Sequence, residues 1–170
     1  MLSIEDGQEP EHVERMLAGA KKVAAGVQYC WLLSSSDEGV CGRPMERLPP
    51  GENDDDWTIR FLTDLRSRKI AHLRRAPTVS LIFQDALENA FVGVTGAARL
   101  IERTSEIRAL WKEDAHSRHF PTETDRANAG FIEVKIERIE LWIKGVTPEP
   151  FGSRTTTLQR DPLGGWHLTT

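Results

Sequence analysis

The chain has 170 residues, 39% of them hydrophobic and 28% charged, with a formal net charge of −4. By length this is one domain with enough apolar side chains for a single sizeable core, in the ordinary balance of a soluble globular protein. The acidic balance argues against a broad nucleic-acid surface. No apolar run is long enough to cross a membrane, and the acid-rich start at 1–14 lacks the order of a secretory signal, so cytoplasm is the expected compartment.

Residues 1–9 read as a loose lead. Pro10 is placed to start a helix over 10–22, where Val13, Met16, Leu17 and Ala20 recur at helical spacing. Gly26 ends that region. The apolar, aromatic-rich run 27–33 predicts the first strand, and the serines, Asp37, Glu38 and Gly39 of 34–39 predict a turn. Residues 40–48 predict the second strand, in which Pro44 calls for an edge, an end or a bulge. Residues 49–56 form the next turn. Its Asp54-Asp55-Asp56 run lacks the spacing and terminal glutamate of a calcium loop and reads as a solvated tip.

The centre of the chain is 57–83. Trp57, Ile59 and Phe61 alternate with Thr58, Arg60 and Leu62, a strand pattern that Thr63-Asp64 breaks. A short helix over 67–75 follows, with Ile70 and Leu73 on one face and a stop before Pro77. Residues 79–83 predict the next strand. The turn between strand and helix holds Thr63, Ser67, Arg68 and Lys69. Free backbone N–H groups, hydroxyls and two cations suit a phosphate, although spacing alone equally allows a solvated basic helix face.

Residues 84–89 are a polar loop, and 90–101 predict a long strand in which Gly93 and Gly96 mark a bulge or a close backbone approach. Thr104 is the expected N-cap of a helix whose face carries Ile107, Leu110, Trp111 and Ala115. His116 and His119 share a helical face that can hold zinc, but a third ligand is not visible and the pair reads as a polar helix end. Phe120-Pro121 closes the helix and 122–128 is a loop. In 130–143, Ile132, Val134 and Ile136 occupy one phase and Ile139, Leu141 and Ile143 the other, so a bulge or tight bend is required near Glu137-Arg138. Beyond Gly145, 154–158 and 166–168 are placed to pair as a hairpin. Cys30 reads as a core residue, and neither it nor Cys41 has metal or redox spacing. An antiparallel barrel with peripheral helices fits this order better than a βαβ array.

The ordered set Arg43-Pro44-Met45, Phe61-Leu62-Thr63, Ser67-Arg68-Lys69 and Ala76-Pro77 resembles the flavin-binding half of the pyridoxamine 5′-phosphate oxidase-like family. The strand at 91–100 resembles the family's next strand, Leu110-Trp111 followed by Phe120-Pro121 resembles its general stress protein branch, and the likeness covers about 31–142. It implies a mainly β fold, α+β by content: a split β-barrel of antiparallel strands with peripheral helices. It implies one FMN-binding domain over 1–170, with 146–170 a C-terminal extension, in a homodimer whose flavins lie between the subunits. By position it assigns Arg43, Arg68 and Lys69 to the FMN phosphate, with hydroxyls from Ser67 and Thr63, and Met45 and Leu62 to the borders of the isoalloxazine ring. Trp142-Ile-Lys-Gly145 resembles the family's W-Q-G segment, so Trp142 is either a flavin contact or an interface aromatic. Phe91 stands where the oxidases place a glutamine.

The departures concern substrate. Where the oxidases carry R-L-H-D-R, this chain reads Pro150-Phe-Gly-Ser-Arg154, and only Arg154, which in the oxidases serves the flavin, is kept. The cofactor half is retained and the vitamin-substrate half erased. The expectation is an FMN-binding oxidoreductase with no assignable catalytic residue and an unknown substrate, not a true pyridoxamine phosphate oxidase. The alternative is a non-catalytic flavin-binding or sensor protein. Relatives accept deazaflavin or haem, but the Ser67-Arg68-Lys69 turn favours a terminal phosphate and hence FMN. No metal, nucleic-acid or membrane partner is expected.

Overall fold

The computed structural model describes residues 9–152 and 156–169. Its strands are β1 Tyr29–Ser36, β2 Gly39–Glu46, β3 Thr58–Asp64, β4 Thr78–Asp85, β5 Ala90–Ile101, β6 Ala129–Ile143, β7 Thr156–Arg160 and β8 Trp166–Thr169. The helices are α1 Glu9–Gly26, α2 Arg68–Arg75, α3 Thr104–Leu110, α4 Glu113–His116 and α5 Glu123–Arg126. The sheet runs β2-β1-β4-β5-β6-β7-β8, with β3 also on β6, and every pairing is antiparallel. Leu48 N–H donates to the Arg60 carbonyl at 2.9 Å, drawing the β2 end to β3 and closing a split β-barrel.

Strand β6 organises the barrel. Its first half pairs with β3, its second half pairs with β7, and β5 runs along its other edge. The predicted phase flip is there: Thr95 faces Arg138 and Gly96 faces Ile136, so Glu137 is the extra residue. The bulge turns Ile132, Val134 and Ile136 inward before it and Ile139, Leu141 and Ile143 after it. A Cβ on Gly96 would fall on the Lys135 carbonyl, so a side chain at this close approach is excluded.

The core gathers Leu32, Phe61, Leu81, Phe83, Val92, Ile132, Ile136 and Leu141 from these strands. Helix α1 lays Val13, Met16, Ala20 and Val23 against it. Met16 is fully buried, which contributes on the order of 2 kcal/mol through apolar area removed from water. Cys30 is buried as expected, and burial pushes its thiol up to about 12, so it stays an unreactive small apolar group.

Four local expectations are corrected. Ser34–36 continue β1, because Asp37-Glu38 alone make the turn and Gly39 supplies the positive φ of 111°. Thr63 and Asp64 do not break β3: they pair with Gly130 and Ala129. The helix expected over 104–115 is split, with Arg103 rather than Thr104 at its N-cap and Trp111 extended at φ −68°, ψ 128°. Trp111 turns out to pack edge-on to His116 and Phe120, and its Nε1–H donates to Glu113. The loop 122–128 contains α5, closed by reciprocal bonds between Thr122 and Asp125.

Candidate functional site

A cavity of about 1070 Å³ opens on the outer face of β3 and β6. Arg60, Leu62 and Phe131 form its floor; Leu48 and the loop through Asp54 form one wall, and Ala109, Leu110, Lys112, Ala115, His116 and Phe120 the other. Strand alternation explains the floor, since Ile59 and Phe61 point into the barrel while Arg60 and Leu62 point out.

At one end lie Met45, Thr63 and Lys69. Arg43 and Met45 share a face of β2 by alternation, and Arg43 sits close enough to Lys69 to act on its charge. Burial, then the Arg43 guanidinium, hold the Lys69 ammonium below its ordinary range, against the opposing pull of Asp64. Asp64 is itself bonded to Arg66. Neither Arg43 nor Lys69 has an ion pair among the described residues. Ser67 is the N-cap of α2, yet its side chain makes no capping bond and its buried Oγ has no partner among the described residues. Lys69 thus lines this end of the cavity, while Arg43 and Ser67, which do not line it, add a second cation without an ion pair among the described residues and an orphaned hydroxyl at a helix start, the chemistry that receives an anion. The residues fit a phosphate.

Of the other expected site residues, Met45, Leu62 and Thr63 line the cavity. Arg68 is exposed on α2 and does not line it. Trp142 lies elsewhere, opposite Phe91 on the outward face of β5 and β6 and 37% exposed. Arg154 lies outside the described residues.

The sequence reading missed the second half of the site. Arg47, Arg60, Lys112, His116, Arg118 and His119 all line the cavity. Arg60 bonds Glu133 across the ladder at 2.9 Å and also pairs with Asp54. Glu133 takes a second bond from Arg99, which reaches Glu106 on α3 at 2.8 Å. Burial pushes the Glu133 carboxyl up, but the bonds from Arg60 and Arg99 outweigh it and hold the group below the usual range. A charged residue in the outward phase of an apolar strand was the available signal for this network. His116 is buried, so the expected polar helix end is corrected: the ring packs edge-on to Trp111 and Phe131.

The sequence model of the pyridoxamine 5′-phosphate oxidase family matches residues 17–143. No curated protein sequence matches the chain. Among solved structures, a Clostridium acetobutylicum protein related to general stress protein 26 of Bacillus subtilis is similar at TM-score 0.69 and 15% identity, over 86% of this chain and 95% of that one. A pyridoxamine 5′-phosphate oxidase-related, FMN-binding protein from Nostoc punctiforme is similar at TM-score 0.65 and 12% identity, over 99% and 100%. PhzG from Burkholderia lata, solved with tetrahydrophenazine-1-carboxylic acid, is similar at TM-score 0.64 and 19% identity, over 95% and 91%. No helix among the described residues is long and apolar enough to cross a membrane.

Proposed function

The chain belongs to the pyridoxamine 5′-phosphate oxidase family, and from that premise we propose that it is a cytoplasmic, homodimeric FMN-binding oxidoreductase. The observation that carries the reading is the unneutralised Arg43–Lys69 pair beside the partnerless Ser67 hydroxyl. Arg43 and Lys69 neutralise the phosphate, and Ser67, with Thr63 behind it, supplies hydroxyl donors. Met45 and Leu62 give the ring apolar borders. The FMN-binding description of the Nostoc protein supports the same cofactor. When bound, FMN supplies the redox chemistry.

The dimer reading is supported by one outward sheet face. Tyr29 and Trp31 are 56% and 51% exposed there, and the register runs from Trp31 through Ile82 and Gly93 to Glu140, two pairs along from Trp142. Aromatic side chains of this size on a sheet face suit burial against a second copy. In that assembly Trp142 serves the flavin held mainly by the neighbouring subunit, and Arg154 is a further flavin contact. The substrate is a small molecule other than pyridoxamine phosphate.

The test is the visible absorption spectrum of the protein as purified, with the released chromophore identified by mass. FMN is the expected product. A colourless protein that also fails to take up added FMN ends this reading and leaves the barrel alone.

A further inference from the structure

The cofactor reading leaves the α3–α4 wall of the cavity unused, and that wall holds one group in an unusual state. His116 is only 4% exposed, yet its ring lines the cavity. Its Nδ1 lies 3.0 Å from the Lys112 backbone nitrogen. A backbone N–H can only donate, so Nδ1 keeps its lone pair and the single ring proton is on Nε2. A second proton would break the Lys112 bond. Burial, followed by the charges of Lys112 and His119, holds the ring below the ordinary histidine range. The edge contacts from Trp111 at 5.2 Å and Phe131 at 5.5 Å fix the ring plane. The Nε2–H meets no acceptor among the described residues.

We propose that His116 is a fixed, neutral hydrogen-bond donor whose Nε2–H receives a carboxylate oxygen of a small aromatic acid bound in the α3–α4 half of the cavity. Three features of the same wall select that chemistry. Leu110 and Phe120 offer apolar surface for a planar body. Lys112 and Arg118 stand at the rim without a carboxylate partner among the described residues and answer the negative charge. A neutral donor recognises an oxygen without adding a buried cation behind the two exposed ones. The proposal rests on this cavity being the binding site, as read above, but not on which cofactor occupies its other end.

The competing role is structural, because the Lys112 N–H to Nδ1 bond also caps the start of α4. Two substitutions separate the roles: His116→Asn retains an acceptor near Nδ1 and loses the Nε2 donor, whereas His116→Gln retains a donor near Nε2. The experiment is nitrogen-15 NMR of the full chain labelled on histidine, titrated with benzoate with and without FMN. We expect the Nε2–H tautomer, neutral at roughly pH 7, with its Nε2 proton moving on benzoate addition. His116→Asn should weaken benzoate binding by about tenfold, the scale of one buried hydrogen bond, and His116→Gln by much less. A proton on Nδ1, a charged ring at neutral pH, an Nε2 signal unmoved by benzoate, or His116→Asn binding like the wild type would each overturn the proposal. If FMN does not load but benzoate moves the His116 signal, the cofactor reading fails and this one stands. If FMN loads and the signal stays still, the reverse holds.

Discussion

Arg60 stands directly across the β3–β6 ladder from Glu133, its Nε 2.9 Å from Oε2. Arg99 faces the same carboxylate from β5, its Nε 3.1 Å from Oε1. Three charged residues thus share one line across three strands; of their outer partners, Asp54 lines the cavity and Glu106 lies on α3, whose last residues Ala109 and Leu110 line the opposite wall. A carboxylate that is 5% exposed is tolerated only when paired on both oxygens.

Replacing Glu133 with alanine removes the shared carboxylate and leaves Arg60 to Asp54 and Arg99 to Glu106. The expected loss is about 2 kcal/mol, below the usual cost of breaking a buried pair because Arg99 is half exposed. Glu133 has a folded pKa below its unfolded value, so its contribution is present above the ordinary glutamate range and is lost as pH falls through the folded value. Asp54 is lowered too: burial raises it, but the bond from Arg60 and the Gly51 N–H outweigh that. Urea unfolding should therefore show wild-type stability falling steeply below roughly pH 4.5, with a flatter profile for Glu133→Ala. Parallel acid profiles for the two proteins would remove Glu133 from this account.

Gly96 allows the β6 bulge. Alanine there would place its Cβ against the Lys135 carbonyl and 3.0 Å from the Ile136 Cα, and the backbone must move to admit it. Gly96→Ala should cost about 2 kcal/mol by denaturant unfolding, as overpacking typically does. Gly26→Ala is the control: it ends α1 with nothing within 4 Å of the new methyl group, so it should be neutral or stabilise by up to about 1 kcal/mol. Equal effects would mean that the bulge accommodates a side chain.

Gly96 also shows what the sequence makes legible. The phase flip around Glu137 followed from apolar alternation alone, and Ala90–Ile101 matched its strand end to end, because both signals lie within one element. The breaks in the α3–α5 region did not. Trp111 leaves the helix for a tertiary contact with His116 and Phe120, a preference that periodicity does not carry. The Thr122–Asp125 capping pair was readable but lay in a segment too short to look helical. The site divides the same way. Met45, Leu62, Thr63 and Lys69 sit on local motifs around β2, β3 and α2. The wall bearing Lys112 and His116 is brought to them by chain folding, so no spacing links the two halves.

The charge of Lys69 yields a prediction with two opposite signs. Its ammonium is held below its ordinary range by burial and by Arg43, so the free protein bears a cost wherever Lys69 is charged, and that cost fades as pH rises through the folded value. Lys69→Met should raise the melting temperature of the flavin-free protein while weakening FMN binding by about 10- to 100-fold, the scale of a charge-assisted bond. Calorimetry and a fluorescence titration read the two effects. A variant that loses stability, or that keeps FMN as tightly, would show that Lys69 is not strained toward an anion.

The C-terminal hairpin should act on stability and not on binding. Leu158 of β7 is fully buried against the second half of β6, and Trp166 of β8 meets Trp57 edge-on at 5.2 Å. Arg160 stacks over Trp166 at 5.8 Å and bonds Asp55 at 3.1 Å, while Lys21 of α1 lies over Trp57 at 5.8 Å and pairs with Asp56. These contacts pin the hairpin to α1 and the start of β3, but none of Trp57, Leu158, Arg160 and Trp166 lines the cavity. Leu158→Ala should cost about 3 kcal/mol through the cavity it leaves. A Trp57–Trp166 double-mutant cycle should return about 1 kcal/mol of coupling for the edge-on pair. FMN affinity should change by less than about twofold in every variant that remains folded, since no cavity group has moved. The flavin titration decides between two architectures. Unchanged affinity means that the hairpin seals the barrel end independently of the site; affinity falling in step with stability means that β6 transmits the loss along its length from β7 to β3.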